Sequence, residues 1–399
     1  MTNNNVADAT ASEAANLLLR LGLAVAFVLT PLALLVSQRS IFILTPIAGV
    51  LTFAAGLVLA PRMRMREVFA FVISPVGLSA LFLAFWALAS LLWTPFPAEA
   101  APRLFKTLST FLCVLPIAAA LPERSKAANL YLLPLGVALA AFGAIFLSSR
   151  LSTDVEDADD YASMVRAAEF MLLLLWPAVA ATALRNRLTL STGLAIVVLA
   201  SAIAIRVPAA LGATAVAALA FTAASANPRK TGRWIGAAGA VSFILAPAIP
   251  LLVGPLVGEN AFAPLLSLKI WDGMIINDGL RMMTGHGFNF VGSGFWRGYL
   301  PAQAPHSILF ETWTDLGMIG ALAGAALTYL AYDLAARQSA RLAPFCLGCL
   351  TYVTAMGVFG AATVQLWWIT ALALALAAFA LAARGDFKTA RPTAPTRIA

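Results

Sequence analysis

Apolar residues fill this chain in long unbroken runs separated by short polar connections. The runs lie near 17–37, 41–60, 69–93, 107–121, 130–149, 167–184, 190–205, 208–226, 234–253, 308–334, 343–364 and 366–383. A helix needs about 17–25 residues to cross roughly 30 Å of hydrocarbon, and these runs match that length, the fourth and seventh being the shortest. The runs are continuous and do not alternate as the strands of a membrane barrel would. The pattern predicts an all-α polytopic membrane protein with about twelve transmembrane helices: nine over 17–253 and three over 308–384. Residues 1–16 are polar and Ala-rich and carry no basic segment before a short apolar core, so we expect a disordered tail ahead of an uncleaved first span. Residues 385–399 form a basic tail. The longest polar interruption, 254–307, falls before the tenth span.

Charge orders these spans. Arg62, Arg64 and Arg66 follow the second run, Arg124 and Lys126 the fourth, and Arg185 and Arg187 the sixth. Arg229, Lys230 and Arg233 follow the eighth, Arg337 and Arg341 the tenth, and Arg384, Lys388, Arg391 and Arg397 the twelfth. Every even-numbered exit is basic, so the positive-inside rule puts both termini in the cytoplasm and the 254–307 segment outside. The acidic connection with Asp154, Glu156, Asp157, Asp159 and Asp160 then falls outside too. The net charge of +8 is explained by these short basic loops and does not point to nucleic acid. A composition of 61% hydrophobic and 11% charged residues excludes a soluble domain of this length. Cys346 and Cys349 form a C-x-x-C inside an apolar run without a second ligand pair, which reads as packing and not as a metal site.

Several cations on the expected outer side run against the topology rule: Arg103, Lys106, Arg150, Arg166, Arg206, Lys269, Arg281 and Arg297. Snorkelling to headgroups or pairing with the acidic connection accounts for some of them. Arg166 and Arg206 differ, because they sit at the mouths of spans, where a guanidinium fork can grip a buried phosphate.

The outer segment holds the remaining chemistry. Apolar positions over 266–283 suggest an amphipathic helix lying on the membrane's outer face. Glycines at 285, 287, 292 and 294 follow. They do not follow a soluble strand, so a dinucleotide loop is rejected. Glycine here serves a sharp turn or a close approach of the backbone to a ligand. Both histidines of the chain lie in this segment. His286 reads as closing a turn. His306 stands just before an apolar helix, where an imidazole can act as a base or a phosphate hydrogen-bond donor. Glu311 and Asp315 lie one turn apart on the face of that helix. Two histidines without a carboxylate cluster do not make a metal centre, so no metal or other cofactor is expected.

In order, the chain carries Arg166 with Trp176-Pro177, Arg206 between two spans, Ile270-Trp271, Gly285-x-Gly287-Phe288 and Pro305-His306-Ser307. Glu311, Asp315-Leu316-Gly317 and Gly320 then follow. Over roughly 80–385 this resembles the O-antigen ligase and polymerase family, and residues 91–106 resemble that family's outer loop after its third span. The resemblance implies a metal-independent, GT-C-like glycosyltransferase of the bacterial inner membrane. Its donor would be an undecaprenyl-diphosphate-linked glycan, used on the periplasmic face. The acceptor would be lipid A–core or a second lipid-linked glycan. It implies that His306 and Arg206 are catalytic, and that Arg166, Arg206, Arg281 and Lys269 hold the donor diphosphate. Glu311, Asp315, Trp271, Gly285 and Gly287 would support the acceptor or the loop. The chain departs from the family pattern at Ile205-Arg206-Val207, where Ser-Arg-Gly is common. It departs again at Ser267, where an arginine often stands four residues before the tryptophan, so Lys269 or Arg281 is left to supply that charge. A transporter or flippase for an anionic lipid-linked glycan is the alternative. Such proteins often show paired broken spans in two repeats, and no such repeat is visible here.

Overall fold

A computed structural model describes residues 2–59, 69–122, 127–150, 158–258, 262–358 and 366–385. The basic exits at 62–66 and 124–126, the acidic residues 154–157 and the tail beyond 385 lie outside the described residues. Every described element is helical. Helix α1 (Thr2–Ala24) runs through a π-helical turn, Val25–Leu29, into Thr30–Leu34. Then follow α2 (Ser40–Leu59), α3 (Pro75–Ala89), α4 (Pro97–Ala119), α5 (Leu132–Ser148), α6 (Ala158–Ala183), α7 (Leu188–Ile205), α8 (Pro208–Ala226) and α9 (Pro228–Leu245). After α9 comes the short helix α10 (Ala248–Val253), and the outer segment carries α11 (Ala263–Asn277), α12 (Arg281–Thr284) and α13 (Phe290–Trp296). The chain returns to the bundle as α14 (Ile308–Ala336), α15 (Ala343–Val358) and α16 (Leu366–Arg384).

Among the described residues ten helices are long and apolar enough to cross a membrane. A further pair, Pro228–Leu245 with Ala248–Leu256, would make an eleventh span that bends by 58°. Helix α15, at 16 residues, is apolar but shorter. The chain is therefore a multi-pass helical membrane protein.

Four expectations are corrected. Residues 2–16 are not a disordered tail but the start of α1, in keeping with the high helix propensity of their alanines. Helix α4 begins ten residues before the apolar run does. Pro97 occupies its first turn, where the missing N–H costs nothing, and Glu99 suits the positive end of the helix dipole. Arg103 and Lys106 consequently ride on a helix and not in a loop. Helix α6 likewise starts at Ala158, ahead of its apolar run, so Arg166 lies two turns into the helix. The amphipathic helix expected over 266–283 is two elements, because α11 ends at Asn277 and α12 begins at Arg281.

Helix α6 is the centre of the bundle, with 83% of its most apolar stretch buried. Helices α5, α7, α15 and α16 pack around it. Its buried side chains, among them Phe170, Met171, Leu172, Leu173 and Leu174, belong to one large core, which also contains Cys349. A second apolar cluster ties the outer segment to α14 through Trp271, Val291, Leu300, Phe310 and Trp313. This second core gives the outer segment a fixed position on the bundle.

Candidate functional site

The site is built where α14 begins and where it breaks. Ser307 caps α14, its hydroxyl accepting from the Phe310 N–H at 3.2 Å. A Ser at this position satisfies one of the four amides that a helix start leaves free. His306, one residue earlier, is exposed. Its ring stacks on Phe295 of α13 with centroids 4.3 Å apart, which restrains the imidazole plane.

Two turns along, Gly317 has φ 66° and ψ −163°, a backbone state essentially confined to glycine. Its break in α14 frees the carbonyls of residues 314–316 from their usual partners four residues on. The outer segment and α3 satisfy all three. The Thr314 carbonyl accepts from the His286 N–H at 2.8 Å, that of Asp315 from Gly287 N–H at 2.9 Å, and that of Leu316 from Trp86 Nε1 at 2.9 Å. The Asp315 carboxylate accepts from the Asn289 and Val291 amides at 2.9 and 2.8 Å, holding the start of α13. Asn289 in turn accepts from Arg103 Nη1 at 2.5 Å. The backbones meet so closely that a Cβ on Gly285 would lie 2.2 Å from the Asp315 carbonyl oxygen. Glycine here serves a close approach to the protein's own helix and not, as expected, to a ligand. Phe288 completes the seam, its N–H donating to Ser90 Oγ at 3.0 Å and its carbonyl accepting from Thr94 at 3.2 Å.

The remaining predicted residues fall into distinct places. Trp271 is buried edge-on against Phe310, with centroids 5.3 Å apart, and so belongs to the second core. Glu311 lies one turn before Asp315 and is half-buried. His286 lies against Thr314 O at 3.2 Å and Asp278 Oδ2 at 3.4 Å and stacks on Phe290, which is the turn-closing role. Lys269 is half-buried on α11, and Arg281 is exposed at the start of α12. Arg297 pairs with Glu99. Arg206 ends α7 in a left-handed conformation, φ 64° and ψ 60°, with its side chain exposed. Arg166 has a buried Nη1 without a hydrogen-bond partner among the described residues, one turn before the buried Glu169.

Gly285, Gly287 and Asp315 are thus brought together, with Glu311 beside them and His306 at the same helix end. Among the described residues no hydrogen bond or ion pair joins Arg166 or Arg206 to the outer segment. Four participants were not anticipated from the sequence: Asn289, Trp86, Ser90, and Arg103 as a lock on Asn289. Asn289 carried a usable signal. It stands in a Gly-rich turn, and asparagine is among the few residues other than glycine that accept its φ of 65°. No protein-family model matches the sequence, and no curated protein matches it.

Proposed function

We propose that this protein is a GT-C-like membrane glycosyltransferase of about twelve spans in the bacterial inner membrane, both termini cytoplasmic. It transfers a glycan from an undecaprenyl-diphosphate-linked donor to a sugar hydroxyl on the periplasmic face, as an O-antigen ligase or polysaccharide polymerase would. The observation that carries the reading is a division among the cations expected outside. Arg103 and Arg297 are engaged by Asn289 and Glu99. Arg206, Arg281 and Lys269 have no ion-pair partner among the described residues and are left for an anionic ligand. A leaving diphosphate develops charge that guanidinium groups stabilise, and one well-placed donor of this kind is worth about 3 kcal/mol in the transition state. In this reading Arg206, with Arg166 deeper in the bundle, grips the diphosphate, and His306 accepts the proton of the acceptor hydroxyl. Gly285, Gly287 and Asp315 hold the outer segment in place and do no chemistry themselves.

The test is reconstitution of the purified protein in liposomes with a lipid-diphosphate glycan and a sugar acceptor. We expect glycosidic bond formation, an Arg206→Ala rate lowered about a hundredfold, and no transfer by His306→Ala while it still binds the donor within a few-fold of wild type. Arg166 and Glu169, ionisable residues inside the most buried span, favour a second reading, a transporter for an anionic lipid-linked glycan. Translocation of the donor without any new glycosidic bond would establish that reading instead.

A further inference from the structure

We propose that the groove between α9 and α14, at the end of the bundle remote from the outer segment, binds the phosphate headgroup of an anionic glycerophospholipid. The cavity there measures about 620 Å³ and is lined by Asn227, Arg229, Lys230, Arg233, Trp234 and Tyr329. Its place in the fold follows from how the two helices pair. Near the outer segment, Trp313 Nε1 of α14 donates to the Phe243 carbonyl of α9 at 2.7 Å. At the other end, Gly232 and Gly236 of α9 lie against α14, where a Cβ would come within 2.6 Å of Ala336 Cβ and 2.9 Å of Tyr332 Cβ. The helices are therefore in close contact along one face of α9, and the groove opens beside it.

Three observations point to the ligand. First, three cations lie within the first two turns of α9, and among the described residues none has an ion-pair partner; Asp333, one turn from Tyr329, is held by Arg337 at 2.6 Å. Second, they sit at the N-terminal end of α9, where the helix dipole adds to their field. Third, the walls are aromatic: Trp234 is 70% and Tyr329 38% exposed. Membrane topology accounts for cations at this end and the interfacial aromatic belt for its rings, but neither requires the cavity that both line. Rings with an apolar body and a polar edge belong at the boundary between headgroup and acyl chain. Basic clefts between spans on the cytoplasmic side are where anionic headgroups bind. The combination fits a phosphate that carries a glycerol and acyl chains better than a free anion. A headgroup in the groove would bridge α9 and α14, whose far ends carry the outer segment.

The test uses the purified full-length protein, delipidated in neutral detergent and titrated with phosphatidylglycerol, phosphatidylcholine of the same chains, and inorganic phosphate. Native mass spectrometry counts what is bound. We expect phosphatidylglycerol to bind at least about tenfold more tightly than phosphatidylcholine. The triple variant Arg229→Gln/Lys230→Gln/Arg233→Gln should lose about tenfold or more of that affinity while its weak phosphatidylcholine binding is unchanged. Trp234→Ala, which keeps all three charges, should lose a few-fold. If the triple variant does not purify folded, Arg233→Gln alone carries the charge test, with a proportionate loss expected. Unchanged phosphatidylglycerol binding in these variants would overturn the proposal. Displacement of the lipid by millimolar inorganic phosphate would also overturn it, because the groove would then be a soluble-anion site.

Discussion

Arg206 occupies a backbone state that costs a residue with a side chain about 1–2 kcal/mol, and the residue expected after a helix end of this shape is glycine. Arg206→Gly should relieve that strain. After the greater freedom it gives the unfolded chain is subtracted, the gain is about 0.5–1 kcal/mol. The same variant should lose transfer activity as fully as Arg206→Ala, whereas Arg206→Lys should lose nearly as much, because an ammonium cannot hold two phosphate oxygens as a planar fork does. Thermal unfolding in detergent beside the transfer assay reads both effects, and a stabilised variant that stays active would reduce Arg206 to a helix terminator. Gly285 is the opposite case. Its φ of 73° and ψ of 175° lie in a region reserved for glycine, and its missing side chain makes room for the Asp315 carbonyl. Gly285→Ala should cost about 1–3 kcal/mol from the backbone alone, visible as a lower melting temperature. At this scale the Gly-x-Gly spacing was legible as a close approach, but its partner was expected to be a ligand. The partner is a main-chain carbonyl of α14, freed by a break at Gly317 that no side-chain pattern announces.

At the scale of elements, α14 carries the candidate site at its first turn and the anchor of the outer segment two turns on. Ser307→Ala removes the side-chain acceptor from that first turn and should cost about 1 kcal/mol. It should also slow transfer, because His306 is placed by the same turn. The check is activity against melting temperature for Ser307→Ala, Ser307→Thr and Ser307→Asp, where the last two keep an acceptor and should restore both properties. Normal activity with Ser307→Ala would show that Phe295 alone positions the imidazole. The long helices were legible in the sequence because each is an apolar run of membrane length. The start of α4 was not, since Glu99, Arg103 and Lys106 lower its hydropathy and the residues read as loop. Glu99 and Arg103 are polar because that part of α4 meets the outer segment, with Arg103 on Asn289 and Glu99 on Arg297. The break between α11 and α12 was hidden for a similar reason. Apolar residues continue past it and obscure the turn sequence Asn277-Asp278-Gly279 at which the helix stops.

For the whole molecule, the expected topology puts the outer segment and the basic groove on opposite sides of the membrane. Leu280, 91% exposed beside the candidate site, is a suitable reporter position. In a background where Cys113, Cys346 and Cys349 are replaced, Leu280→Cys should react with an impermeant thiol reagent from the periplasmic side. Lys230→Cys should react only after the inner membrane is opened. The reverse pattern would invert the bundle and remove the periplasmic reading of the site. Burial of α6 at the centre also bears on how the protein is made. This helix carries Arg166 and Glu169 into the membrane as the sixth long helix of the chain, yet α15 and α16, which pack against it, are the last to be synthesised. During translation those two ionisable groups must wait, in lipid or against the insertion machinery, until the chain beyond residue 343 has been made. A ribosome that stalls before residue 343 would therefore leave a product with uncovered charge in the bilayer, a mark by which membrane proteases can recognise and clear the unfinished chain.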